Sequence, residues 1–395
     1  MHPIITLKKN EDKRIRRGHL WAFSNEIQTI ENKPEAGCLV ELQTSTGKYL
    51  GTGLYHPGSL IAVRIISFSD QARELQDLDR RYFTELISAA FALRKKIYPD
   101  SETFRVVHGE SDFLPGLIVD KYNEYLSVQT LSLGMDKRLP AICDALEDLF
   151  HPKGIVERND AHSRTYEGLL EKKGILRGSI EPVTINEDGV QFTIDLLEGQ
   201  KTGFFLDQRE NRRSIRSYAN NARVLDCFCN YGGFAFHAAA AGATSIDAVE
   251  ISEHTVDHAR ANAQLNGFDS KIVFHAEDVF RYLKIAVQEG KRYDLINLDP
   301  PSFTQNKKSV PPARQGYKEL HTNAFRLLSH GGILSTSSCS HHIFEETFLE
   351  IIAESAREAG KNITMLTWRG AAPDHPVLPA MPETKYLKFG IFCVL

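Results

Sequence analysis

The chain has 395 residues, 42% of them hydrophobic and 25% charged, with a formal net charge of −4. At ~100–200 residues per domain this gives two or three globular domains with real cores, and the near-balanced charge excludes a uniformly basic nucleic-acid coat. No apolar run approaches the ~20 residues that span a bilayer, no signal peptide opens the chain, and six scattered cysteines fit reduced, cytoplasmic thiols better than a disulfide framework.

Residues 1–72 are expected to form a small β domain. Residues 39–42, 49–55 and 60–66 read as short strands with Gly and Pro between them. Ahead of them Lys8, Lys9, Lys13, Arg14, Arg16 and Arg17 stand against only Glu11 and Asp12, with Trp21 and Phe23 alongside. A local basic patch suits RNA phosphates, and aromatics can stack on bases, although Trp21 and Phe23 taken alone read as core.

Residues 73–188 read as an α+β domain. A helix is expected over 75–98, burying Leu86, Ala89, Ala90 and Leu93, followed by strands over 104–108, 117–122, 125–130 and 154–158 and a helix over 137–150. His108 to Asp112 reads as a polar hairpin end rather than an acid–base cluster. Arg158, Asp160 and Arg164 read equally as a nucleic-acid contact or a surface salt-bridge set.

A hairpin over 183–192, turning at Asp188-Gly189, leads into a third domain over 189–395. The segment Gly199 to Arg212 is too rich in Lys, Asp, Gln and Arg for a plain linker. Val224-Leu225-Asp226 then reads as a strand ending in an acid, Gly232-Gly233 as a tight turn, and 234–241 as a helix. Further strands over 245–249, 271–275, 293–298 and 332–338 end near Glu250, Asp278, Asp299-Pro300 and Cys339. Helices are expected over 253–265 and 345–358, and two closing strands over 362–368 and 386–395. The proline-rich loop between those strands is expected to cover the sheet end. Polar groups at five successive strand ends mark the ligand edge of an open parallel α/β sheet, a Rossmann-like fold.

The glycine turn lacks G-x-G-x-x-G, which demotes a nicotinamide cofactor, and no G-x-x-x-x-G-K-[ST] supports a P-loop. A glycine turn, an acid placed for ribose, an acid placed for adenine and a D-P-P turn together favour S-adenosylmethionine. Pro300 and Pro301 each fix φ and so hold Asp299 at the sheet edge.

The run Lys201-Thr-Gly-Phe-Phe-Leu-Asp-Gln-Arg209, Asp226, Gly232-Gly233, Asp299-Pro-Pro-Ser-Phe303, Gly316-Tyr-Lys-Glu-Leu320 and Ser338-Cys-Ser-His-His342 resembles the RlmI-type family of 23S ribosomal RNA cytosine-C5 methyltransferases. The likeness spans nearly the whole chain, with a PUA domain at the N-terminus and an α+β domain in the middle; Asn230-Tyr231 departs from the family's usual Tyr-Thr. It implies a cofactor site built from Lys201, Asp207, Gln208, Arg209, Asp226, Phe228, Asn230, Tyr231, Gly232, Gly233, Glu250, Ile251, Asp278, Val279, Asp299 and Pro300. It also implies Cys339 as the nucleophile that adds to C6 of cytosine and Asp299 as the group bonding a protonated N3. Ribosomal RNA is the implied partner, with a homodimer left open. Cys227 and Cys229 read as pocket wall, and Cys339 with His341 and His342 is a poor zinc set, so no metal is expected. Two alternatives stand beside this: methylation of an RNA nitrogen, which needs no thiolate, and a non-catalytic RNA-binding assembly factor.

Overall fold

The computed structural model describes residues 2–199, 201–304 and 307–395. The chain divides into two compact units, one formed by Met1–Ile185, Ile194–Leu206 and Pro373–Lys385, the other by Asn186–Thr193, Asp207–Ala372 and Tyr386–Leu395.

The first unit opens with six strands, β1 (Ile4–Leu7), β2 (Trp21–Phe23), β3 (Ile27–Ile30), β4 (Leu39–Gln43), β5 (Tyr49–Tyr55) and β6 (Ile61–Ser67), in the order β2-β6-β5-β4-β1-β3. The last three follow the sequence pattern to within a residue. The first three are only three or four residues long, too short for alternation to declare itself. Their core of Ile5, Leu7, Val40, Leu42, Val63 and Ile65 also takes in Met381, so the proline-rich loop expected over the sheet end belongs to this unit.

A second sheet, in the order β11-β10-β9-β8-β7, contains β7 (Thr103–His108), β8 (Leu117–Tyr122), β9 (Tyr125–Thr130), β10 (Gly154–Asn159) and β11 (Lys172–Gly178). Helices α1 (Arg80–Ile97), α2 (Leu133–Asp136) and α3 (Leu139–Phe150) complete it. Asp79 caps α1 through the Tyr82 N–H. The buried face of α1 is Phe83, Ile87, Ala90 and Arg94, whereas Ala89 and Leu93 are exposed, which corrects the expected face. Arg94 displaces an aliphatic residue from the core because its guanidinium lies against Asp112 (2.5 and 2.7 Å) and the Arg105 carbonyl (3.0 Å). Arg158 and Arg164 are likewise buried rather than on the surface. Arg158 donates to Asp160 and the carbonyls of Leu196 and Gly199, and Arg164 to Asp136 and the carbonyl of Leu170.

Hairpin β12 (Val183–Glu187) and β13 (Val190–Ile194) turns at Asp188 and Gly189 with φ of 53° and 87°, the pair of positive values a two-residue hairpin loop needs.

The second unit is built on a seven-stranded sheet in the order β16-β15-β14-β17-β18-β20-β19. Its strands are β14 (Arg223–Cys227), β15 (Ser245–Glu250), β16 (Ile272–Ala276), β17 (Tyr293–Leu298), β18 (Leu328–Ser338), β19 (Ile363–Arg369) and β20 (Lys388–Val394). The first five run parallel, and β20 is antiparallel to both β18 and β19. The helices are α4 (Arg209–Ser214), α5 (Gly233–Ala240), α6 (Glu253–Leu265), α7 (Val279–Gln288), α8 (Val310–Leu327) and α9 (Glu345–Glu358). Leu225, Ile296, Leu298, Leu334, Phe325 and Phe348 fill the core on the side of α7, α8 and α9. This is the doubly wound order, with its ligand edge at the carboxyl ends of β14 to β18.

Candidate active site

Beyond β14 the chain turns through Phe228 and Asn230 in left-handed conformations (φ 62° and 49°) before Gly232 (φ 86°) opens α5. Non-glycine residues held there store strain, as ligand-binding loops often do. Gly232 is required by its φ and because a Cβ would meet the Phe236 ring at 2.6 Å. A Cβ on Gly233 would meet the Arg212 side chain at 2.8 Å, and Arg212 is locked by two bonds to Glu187 (2.6 and 2.7 Å). Burial alone would push the Glu187 carboxyl up, but Arg212 and His237 hold it well below the usual range. That ion pair fixes the floor of the loop.

Asp226 is buried and accepts from the Ala235 N–H (2.9 Å) and from Asn297 Nδ2 (2.9 Å); Ser335 Oγ in turn donates to Asn297 Oδ1 (2.8 Å). Burial pushes its pKa up to about 7, and the charges of Asp299 and Glu250 add to the rise. Glu250 accepts from the backbone N–H groups of Asn230 and Ser252, each at 3.3 Å, and the neighbouring Ile251 is 69% exposed. Asp278 is exposed and caps α7 through the Arg281 N–H (2.9 Å), while Val279 turns its side chain into the core.

Asp299 leaves β17 with its N–H on the Cys227 carbonyl (3.4 Å), and Pro300 behind it is buried. Gln208 Nε2 donates to Asp299 Oδ1 (2.8 Å) and to Ser337 Oγ (3.0 Å). Cys339 follows β18 and is half-buried. Its backbone is held from both sides. Tyr317 donates its OH to Ser338 Oγ (2.9 Å) and lies 3.1 Å from Ser340 Oγ, and buried Lys388 donates to the carbonyls of Ser340 and Ile343 (2.9 Å each). The Phe303 N–H donates to Ser340 Oγ (3.0 Å), which joins the D-P-P segment to the thiol turn. Leu298 is paired with Thr336, so Asp299 and Cys339 leave adjacent strands at one sheet end. Cys227 and Cys229 are buried there and their thiols are pushed well above the usual range, unlike what a nucleophile needs.

The structure thus gathers Gln208, Asp226, Asn230, Gly232, Gly233, Glu250 and Asp299 around one loop. Asp207 accepts from the Tyr386 OH (2.6 Å), Arg209 lies 3.5 Å from Asp188, and the Tyr231 ring packs 5.6 Å from that of His258. Lys201 falls in the first unit, with Nζ 4.4 Å from the centre of the Phe205 ring. In the N-terminal basic segment Lys8, Lys9, Lys13, Arg16 and Arg17 are exposed. Arg14 pairs with Glu26 (2.5 Å) and lies 4.8 Å over the Phe23 ring, and Trp21, half-buried, donates to Glu110 (2.9 Å).

Residues 5–68 match the PUA-like domain family, and residues 173–389 match the S-adenosylmethionine-dependent methyltransferase family. Ribosomal RNA large subunit methyltransferase I of Tolumonas auensis is 38% identical over 394 residues, covering 98% of each chain. The protein of that name from Vibrio cholerae is 38% identical over 400 residues, covering 100% of this chain and 99% of its own. The chain belongs to this methyltransferase family. A Streptococcus mutans protein assigned as a SAM-dependent methyltransferase shares the fold, with a TM-score of 0.83 at 21% identity over 99% of this chain and 100% of its own. A second structure of this fold, solved with SAH, reaches 0.85 at 22% identity over 99% of this chain and 100% of its own.

This methyltransferase uses S-adenosylmethionine, and the donor set fits that ligand. Glu250 is an acceptor-only carboxylate at the loop edge, suited to a ribose diol, and Asp278 presents an exposed carboxyl just past β16, suited to an amine. Asn297, Asn211, Arg212, Tyr317, Ser338, Ser340 and Lys388 support the site without being evident from sequence pattern. Tyr317 and the two serines lie inside motifs already singled out. For Ser338 and Ser340, their position directly beside Cys339 in the sequence is the signal that would have found them.

Proposed function

We propose that this methyltransferase acts on C5 of a cytosine in 23S ribosomal RNA, in the cytoplasm, through a transient bond between Cys339 and C6. The observation that carries the reading is the half-buried Cys339 on a turn braced by Tyr317, Ser340 and Lys388, at the sheet end that also bears Asp299. Cytosine C5 is a weak nucleophile. Sγ adds to C6, the electron pair of the C5–C6 bond shifts toward C5, and C5 becomes enamine-like. Bound S-adenosylmethionine supplies the electrophilic methyl group. Asp299 holds the proton at N3 that makes C6 electrophilic. Loss of the C5 proton to a base then re-forms the double bond and expels the thiolate, so Cys339 ends as it began. Attack on C6 needs an exposed base face, which favours unpaired or flipped RNA. The exposed lysines and arginines of the N-terminal segment supply charge for its phosphates.

The test is to transfer labelled methyl from S-adenosylmethionine to unmodified 23S ribosomal RNA and digest the product to nucleosides. Label in 5-methylcytidine is expected. Label in 7-methylguanosine or an exocyclic amine would replace this reading with nitrogen methylation, and absence of transfer with intact cofactor binding would support an assembly factor.

A further inference from the structure

The Gln208 side chain, a candidate cofactor contact, bonds to three side chains of the protein. It is 3% exposed, and its two amide hydrogens go to Asp299 Oδ1 (2.8 Å) and Ser337 Oγ (3.0 Å). Its Oε1 accepts from Asn211 Nδ2 (2.7 Å). Asn211 is fully buried, and the same Nδ2 also donates to the Gly370 carbonyl (3.1 Å). An amide can turn end for end, so what fixes its direction matters. The Gly370 main-chain carbonyl cannot turn, and only the NH2 end of Asn211 can donate to it, while Asn211 Oδ1 is buried with no bond among the described residues. With Asn211 fixed, Gln208 must point its oxygen at Asn211 and its NH2 at Asp299.

We propose that Asn211 and Gln208 form a positioning relay that orients the Asp299 carboxylate for catalysis, with Gln208 acting through Asp299 rather than on the cofactor. The relay rests on the reading of Asp299 as the group that holds the proton at N3. Ser337 extends the same contact to the strand that carries Cys339, so one side chain sets Asp299 against the β18 end. A neutral donor suits this place. It steers the carboxylate through a hydrogen bond and adds no charge of its own. Gln208→Leu removes both donors at similar volume. Gln208→Glu sets a carboxylate at the 2.8 Å contact with Asp299, and two such groups share a proton.

The experiment measures kcat, KM for RNA, S-adenosylmethionine Kd and the pH–kcat profile for Gln208→Leu, Gln208→Glu and Asp299→Asn in the full-length protein, with thermal melting to confirm folding. The relay predicts a kcat loss of about 10- to 100-fold in Gln208→Leu with cofactor Kd within about threefold of the parent. It predicts an additional ionisation in the pH–kcat profile of Gln208→Glu. A cofactor-binding role predicts the reverse: raised cofactor Kd, parental kcat at saturation and no new ionisation. That result overturns the relay. If Asp299→Asn keeps parental turnover, the reading of Asp299 fails and the relay with it. If Asp299→Asn is inactive while Gln208→Leu turns over normally, only the relay fails. Should Gln208→Leu not fold, the near-isosteric Gln208→Glu profile decides alone.

Discussion

Asp120 in the first unit and Asp226 in the second are equally buried, at 0% and 1% exposed, yet their carboxyls are driven in opposite directions. Burial pushes both up. At Asp120 the Arg105 guanidinium, bonded at 2.7 and 2.8 Å, more than reverses this and holds the carboxyl below its usual range. At Asp226 the bonding partners are the Asn297 amide and a backbone N–H, Asp299 and Glu250 add like charge, and the pKa rises to about 7. The contrast extends to the neighbours. Arg94 with Asp112 and Arg164 with Asp136 are ion pairs, whereas Glu250 and Asp278 accept from main-chain N–H groups, and Asp299, which also interacts with the Arg212 charge, accepts from the Gln208 amide. Charge is neutralised where it holds structure together and left responsive where ligands are to bind.

The largest expected effect lies at the thiol. Cys339→Ala should lower turnover by about four orders of magnitude or more while leaving cofactor affinity within threefold, measured by methyl transfer and by titration. A modest loss would place the sheet end on the structural side of the contrast. Next comes Asp112→Ala, which strands the buried Arg94 guanidinium and should cost about 3–5 kcal/mol in urea unfolding, whereas Arg94→Met with Asp112→Leu should come close to neutral. If the double variant is as unstable as the single, the pair does more than cancel buried charge.

Asp226 gives a smaller, pH-dependent effect. A carboxyl with a raised folded pKa binds its proton more tightly when folded, so its contribution to stability falls as pH climbs from about 4 to about 7. Asp226→Asn should flatten that part of the stability profile; an unchanged slope in thermal melts would mean that Asp226 ionises normally. Asp120 works the other way, and its contribution should be lost as pH falls below about 4. The smallest effect is expected in the basic segment. Replacing Lys8, Lys9 and Lys13 with Ala should weaken binding of single-stranded RNA and reduce the salt-dependence slope by about 2, since each phosphate contact carries about 0.7. An unaltered slope would remove the segment from the RNA path.

The parallel sheet was the most legible part of the chain because its strands are apolar runs ending in an acid, a glycine or a proline turn, as at Asp226, Glu250 and Asp299. Helix α8 gave no expectation. Proline and glycine generally disfavour helix interiors, but Pro311 and Pro312 occupy the first turn, where no N–H is needed, and the helix continues beyond Gly316. The buried face of α1 and the placement of Arg158 and Arg164 were missed for one reason. A hydropathy pattern treats arginine as a surface residue, and its burial depends on acceptors distant in sequence: Asp112 for Arg94, Asp136 for Arg164, and the carbonyls of Leu196 and Gly199 for Arg158. Asp226, Glu250 and Asp299, expected at strand ends, do lie at the carboxyl ends of β14, β15 and β17. The bracing by Asn211, Tyr317 and Lys388 could not be read from the sequence, because it depends on how separate strands and helices meet.

The proposed chemistry requires a covalent bond between Cys339 and the target base. Incubating the protein and S-adenosylmethionine with 23S ribosomal RNA containing 5-fluorocytosine, which has no C5 proton to lose, should trap a denaturation-resistant adduct in the parent and none in Cys339→Ala. Methyl transfer to ordinary RNA without any trapped adduct, or an adduct that survives in Cys339→Ala, would contradict it.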